Sequence, residues 1–319
     1  MACSLRSAVF TQKENDDSLE TSIDSLLEMI VKQHCLISNQ DNEPNEACQS
    51  EKSVLEIMCQ LKSRLKFPQH LKILGKDNFL WNYIVKGLCH DDGLTRKRAN
   101  YLLKRAIDTP HNVDVENYNR ESLVPFMTAE TYKEQQKIWN DFFLVIETLE
   151  EKQVHLVKQI FSKIQKLVSK VPITSEEPSA DKPFHISWIL VIFRLLFQHQ
   201  NNAIVKWSVH NFLKTFSSNY IGYSEFITFT CGSLLNVLNS SKHFSYKEPN
   251  TGCETEDLLT NFLAGFVPNG DSSHFNIDLK IFWNRFLNSI LSISWGPLPL
   301  YHVTKAISNV LKENGKRQR

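Results

Sequence analysis

Apolar residues in this chain return every three or four positions, run after run, and nowhere alternate in twos for the length of a strand. That spacing puts a stripe on one side of a 3.6-residue helix, whereas a half-buried strand needs a period of two. Ile23, Leu26, Leu27, Ile30 and Val31 make the first stripe, and Val54, Leu55, Met58, Leu61 and Leu65 the second. The second is expected to stop near Phe67-Pro68, because proline pushes the preceding residue out of the helical region. Leu80, Tyr83, Ile84 and Leu88 follow at helical steps, then a short HDDG turn in which Asp91 or Asp92 is placed to cap the next helix.

Further along, Trp139, Phe142, Phe143, Ile146 and Leu149 form one seam and Val157, Ile160, Phe161, Ile164 and Leu167 another, separated by EEKQ. That linker suits either antiparallel neighbours or one long helix. Runs centred on 187–199, 202–216, 223–239 and 258–266 precede DLKIFWNRFLNSILSI and LPLYHVTKAISNVLKE. TFTCG, at 228–232, has some strand propensity, but the LLNVL that follows continues a helical period. The expected fold is all-α, an irregular armadillo- or HEAT-like helical solenoid with no fixed repeat length. It divides into a flexible 1–20, a helical segment 21–170, an exposed Pro/Ser-rich loop 171–183, a helical segment 184–312, and a basic flexible tail 313–319.

With 42% hydrophobic residues the chain has ample material for a core. Thirty-six Lys and Arg against 35 Asp and Glu leave a formal net charge of +1, so any grip on nucleic acid must come from a local patch. The seven Cys include no CxxC pair and follow no secretory leader, which points to reduced thiols inside the cell. The most apolar run, Trp188 to Phe197, contains Arg194 and falls well short of the roughly 20 residues that span a bilayer.

TRKRANYLLKR, residues 95–105, carries the clearest division of faces. Ala99, Leu102, Leu103, Ala106 and Ile107 gather on one side. Lys97, Arg98, Tyr101, Lys104 and Arg105 take the other. Cationic heads can bond phosphate oxygens, and a tyrosine ring can stack on an exposed base. An ordinary solvated face has the same composition, since Lys and Arg favour helix.

Elsewhere the chemistry is sparse. Cys89-His90-Asp91 lacks the paired spacing of a structural zinc site, and His185, His199 and His210 read as packing or rim residues. No GxSxG, P-loop, GxGxxG or HExxH pattern occurs. Glu147, Glu150 and Glu151 read as a solubilising helix end rather than an acid–base pair. No catalytic, cofactor-binding or metal-binding residue is assigned. The aromatic residues Trp139, Phe142, Phe143, Trp188, Phe193, Phe197, Trp207, Phe212, Phe216, Trp283 and Phe286 fall within apolar stretches and are expected to fill the grooves between helices.

NFLWNYIVKGLCHDDGLTRKRANYLLKRAID (78–108) and KIWNDFFLVIETLEEKQVHLVKQIFSKIQKL (137–167) resemble the TAR RNA-binding protein 1 family, the large eukaryotic tRNA guanosine-2'-O-methyltransferases. FHISW (184–188), SEFITFTCGSLLNVLNSS (224–241) and LKIFWNRFLNSILSISWGPLPLYHVTKAISNVL (279–311) are similar to further blocks in the same order. The resemblance implies a long helical-repeat region ahead of a C-terminal knotted SPOUT methyltransferase domain. In the full-length family that domain uses S-adenosylmethionine to methylate a guanosine ribose in the tRNA D-loop. No counterpart of it is found before Arg319, so this chain is expected to hold no S-adenosylmethionine and to transfer no methyl group by itself. The implied partners are tRNA or the missing methyltransferase domain, with no membrane. The alternative is a protein-interaction scaffold without RNA contact.

Overall fold

The computed structural model describes residues 25–30, 54–59, 79–108, 132–151, 153–173, 184–244, 253–267 and 274–317. The polar stretch 1–20, the break at 38–52, the Phe67-Pro68 stop, most of the 108–130 connector and the loop 174–183 lie outside them. The chain falls into two compact units, Met1–Phe143 and Leu144–Arg319. Every regular element among the described residues is helical.

In the first unit, residues 25–30 and 54–59 are helical. Helix α1, Phe79–Leu88, is followed by α2, Gly93–Ile107, and the two pack on each other. The four apolar residues read from the spacing of α1, Leu80, Tyr83, Ile84 and Leu88, are all buried, and Phe79 and Trp81 join them. Close approach depends on Gly87. A Cβ there would stand 2.6 Å from Leu55 Cδ1 and 2.8 Å from Ala99 Cβ, well inside van der Waals contact. Helix α3, Tyr132–Glu151, contains the boundary between the units. Its seam residues Trp139, Phe142 and Phe143 are buried against one another with ring centroids 5.6–6.1 Å apart.

The second unit continues with α4, Val154–Gln159, and α5, Phe161–Val168. The EEKQ linker therefore separates α3 from α4, and a further break follows at Ile160, which is buried. Helix α6, Ile186–Phe197, is apolar nearly all round and is accordingly buried on almost every side, with Arg194 its exposed residue. Helix α7, Asn202–Thr215, begins with Asn201 accepting from the amides of Ala203 (2.9 Å) and Ile204 (3.3 Å).

The expected helix at 223–239 runs as α8, Ser224–Phe229, a π-turn at Thr230–Leu234, and α9, Leu235–Leu238. TFTCG is thus helical, with the wider π hydrogen bonding inserted where strand propensity was noted. The run expected at 258–266 starts earlier, as α10, Glu254–Ala264. Helices α11, His274–Ser292, and α12, Pro297–Arg317, complete the unit, α12 extending into the basic residues at the end of the chain.

Within this unit α6 packs on α7, α7 on α10, and α10 on α12, the neighbour-to-neighbour stacking of an irregular all-α solenoid. Phenylalanines fill the space between them. Phe212 on α7 meets Phe193, Phe197, Phe226, Phe229 and Phe262 with centroids 5.3–6.2 Å apart. The ring contacts continue from Phe226 to Phe266 and on to Phe282 of α11. Each fully buried ring contributes about 2–3 kcal/mol through area removed from water. The fold class is the one read from periodicity.

Candidate nucleic-acid interface

The basic face of α2 is built on a well-fixed helix start. Asp92, rather than Asp91, is the N-cap: its Oδ2 accepts from the Thr95 amide (2.9 Å) and from the Thr95 hydroxyl (2.6 Å). Arg96 braces the same turn by donating to the carbonyls of His90 (2.7 Å) and Asp91 (2.8 Å). Ala99, Leu102, Leu103, Ala106 and Ile107 are buried, so the apolar side of the helix is the one expected.

The other side carries five residues in quite different states. Lys97 and Tyr101 are exposed, whereas Arg98, Lys104 and Arg105 are half-buried. Arg98 stands 3.6 Å from the Glu56 carboxylate. Lys104 Nζ lies over the Phe143 ring, 5.4 Å from its centroid. Arg105 Nη1 donates to the Tyr101 hydroxyl over 3.5 Å. The face is cationic, yet much of its charge already has a protein neighbour. An anionic backbone would have to compete with Glu56 for Arg98.

The histidines have local roles. His185 caps α6, its Nδ1 accepting from the Ser187 amide (3.2 Å), with its ring edge-on to Tyr223. Burial pushes it down to about 4, with the Glu225 carboxylate opposing that shift. His199 Nδ1 accepts from the Asn201 amide, 3.0 Å away. His210 reaches further. Its Nε2 lies 2.8 Å from the Thr255 hydroxyl, which donates to the His243 carbonyl at 2.7 Å. With the hydroxyl proton so engaged, the imidazole Nε2–H must be the donor to Thr255.

A buried polar pair between α10 and α12 has no counterpart among the sequence candidates. Glu256 accepts from His302 Nδ1, and its second oxygen lies 2.8 Å from Lys305 Nζ. His302 also stacks on Phe244, nearly parallel at 5.0 Å. A carboxylate this deeply placed needs such partners, since an uncompensated buried charge costs several kcal/mol. No local pattern marks it in the sequence, since Glu256 precedes the run expected at 258–266 and His302 lies 46 residues further on. His302 is fully buried and Glu256 nearly so, which suits pinning two helices rather than meeting a substrate.

Cys89-His90-Asp91 forms the turn between α1 and α2, where His90 Nδ1 accepts from the Asp92 amide (2.9 Å). Among the described residues no group of three or more His, Cys, Asp and Glu is placed to hold a metal ion, and no helix is long and apolar enough to cross a membrane. Of the eleven aromatic residues expected to fill the grooves between helices, Trp207 and Trp283 are half-buried and the other nine are buried. Trp283 Nε1 donates to the Phe266 carbonyl (2.8 Å), and Trp207 stacks flat on Phe161.

No solved structure matches the chain. Among curated proteins it is similar to the tRNA (guanosine(18)-2'-O)-methyltransferase TARBP1 of Mus musculus, 27% identical over 237 residues, or 72% of this chain. The chain spans 15% of the length of that relative. The family model of the TARBP1 domain matches residues 78–227, a stretch that runs from α1 into α8 and includes the whole basic face of α2.

Proposed function

We propose that this chain is a non-catalytic helical scaffold of the tRNA (guanosine(18)-2'-O)-methyltransferase type, contributing to the binding or positioning of tRNA. The observation that carries this reading is the match to the TARBP1 domain across residues 78–227. The cationic face of α2 within that stretch supports it, because helical stacks hold folded RNA through phosphate and ribose contacts without a compact sequence motif. Lys97, Arg98, Lys104 and Arg105 supply backbone contacts, and Tyr101 a stacking surface. Methyl transfer from S-adenosylmethionine is assigned to a separate domain of the kind found in full-length relatives, which the scaffold would serve.

The test is fluorescence anisotropy of labelled, unmodified tRNA titrated with the full chain at several salt concentrations. Binding that weakens linearly in log–log form with salt is expected. Absence of binding at low salt would refute the reading. A protein-interaction scaffold is then the reading left standing, and it has an observation of its own. Ile277, Leu291 and Leu311 on α11 and α12 are exposed, Leu291 by 84%. Large apolar side chains left open to water often mark protein contacts.

A further inference from the structure

The basic face of α2 is not uniformly polar. Leu94, Lys97, Tyr101 and Arg105 follow one another at steps of three and four, so they form a single line along the helix. Leu94 is 55% exposed and Tyr101 39%. Apolar, cationic, aromatic and cationic side chains thus alternate over about 16 Å. The joint with α1 is made by the opposite side, Ala99, Leu102, Leu103, Ala106 and Ile107, and neither Leu94 nor Tyr101 belongs to it.

Tyr101 is bracketed by positive charge. Arg105, one turn on, donates to its hydroxyl over 3.5 Å, and Lys97 lies one turn back and is exposed. The helix that carries the ring has its start fixed by the Asp92 cap and the Arg96 brace. A ring held in place on a rigid element loses little freedom when something stacks on it.

Two of the other cations of this face are turned toward the protein, Arg98 to Glu56 and Lys104 to Phe143. That mixture matters for the kind of RNA the face suits. A duplex presents lines of phosphate and keeps its bases stacked inside, so it rewards a run of cations and gives an exposed ring nothing to stack on. An unpaired stretch offers a base face as well as phosphates.

From the Leu94–Lys97–Tyr101–Arg105 line we infer that the α2 face selects unpaired nucleotides of RNA over duplex. Tyr101 is the stacking platform, Leu94 covers a neighbouring base, and Lys97 and Arg105 hold the phosphates on either side. This rests on the tRNA-scaffold reading and assigns that reading the structural class of RNA it engages. Every base has a face to stack, so the selection is for unpaired structure and not for sequence.

The experiment titrates the full chain, by anisotropy across a salt series, against two labelled RNAs. One is a single strand that cannot fold on itself, the other the blunt duplex it makes with its complement, and unmodified tRNA is run alongside. The parent should hold the single strand roughly tenfold more tightly than the duplex, the worth of one stacked base. Tyr101→Ala should remove that advantage and leave the log–log salt slope unchanged, because a stacked ring displaces no counterion. Tyr101→Phe keeps the ring and should restore most of the advantage. Lys97→Gln should instead lower the slope on the single strand by about 0.7. Matching circular dichroism and thermal midpoints establish that each variant folds. A parent that binds tRNA but holds the duplex as tightly as the single strand overturns the inference and leaves the scaffold reading intact. So does a Tyr101→Ala chain that keeps the parental preference, or a Tyr101→Phe chain no better than Tyr101→Ala. A parent with no salt-dependent binding to any of the three RNAs removes both.

Discussion

The α1–α2 hairpin and the α6–α12 stack are both all-helical, but they are held together differently. In the hairpin, backbones come close because Gly87 faces Ala99, and the seam is aliphatic apart from a few rings of α1. In the stack, phenylalanines centred on Phe212 fill the space between helices, and the buried Glu256–His302 pair, with Lys305 beside it, joins α10 to α12. Small residues make a tight joint that tolerates no addition. Large rings make a filled joint that tolerates no deletion.

The sharpest attack on that contrast is Phe212→Ala. Removing a ring that meets six others should cost about 3–5 kcal/mol, read as a lower urea midpoint with the slope retained. A loss under about 1 kcal/mol would mean the rings are not what fills the stack.

Acid is the next lever, again on the stack. His185 has its folded-state value lowered from 6.5 to about 4 by burial, so the unfolded chain takes up its proton first as pH falls. Stability from this group is complete above pH 6.5, falls as pH drops from there toward 4, and then levels off. The loss between pH 7 and pH 5 is on the order of 2 kcal/mol. His185→Asn keeps a capping side chain, so the variant should fold and lose part of that acid sensitivity, with His243 supplying the remainder. An unchanged pH profile in urea melts would remove His185 from the account.

In the hairpin the matching change is an addition. Gly87→Ala should cost about 1–3 kcal/mol, because Ala99 Cβ cannot move out of the way as the Leu55 side chain can. A neutral or raised thermal midpoint would show that the joint has slack. The smallest effect expected is at its turn, where Asp92→Ala loses the cap of α2 for about 1 kcal/mol. Amide exchange at Thr95 should quicken in that variant, and an unaltered rate would place the cap elsewhere.

Periodicity made the helices legible because each buries a continuous side: Ala99, Leu102, Leu103, Ala106 and Ile107 were separable from their basic neighbours by angle alone. The state of those basic neighbours was not. Arg98 meets Glu56 and Lys104 meets Phe143 through long side chains that bridge between elements, which no local pattern encodes. The same limit hid Glu256 with His302, whose positions are 46 residues apart. Phe161 was grouped with a buried seam by spacing, whereas it is half-buried and spent on Trp207. The π-turn was hidden too, since Thr230–Leu234 keeps a helical apolar rhythm while changing its hydrogen bonding. Cys231 within it is buried, which pushes its thiol up to about 11 against the opposing pull of Arg285.

The claim on which the functional account turns is that this helical scaffold holds tRNA through the basic face of α2. Amine-reactive footprinting of the full chain, with mass spectrometry of each lysine in the presence and absence of tRNA, addresses it directly. Lys97 and Lys104 should become markedly less reactive when tRNA is present. Unchanged reactivity at both lysines would contradict it.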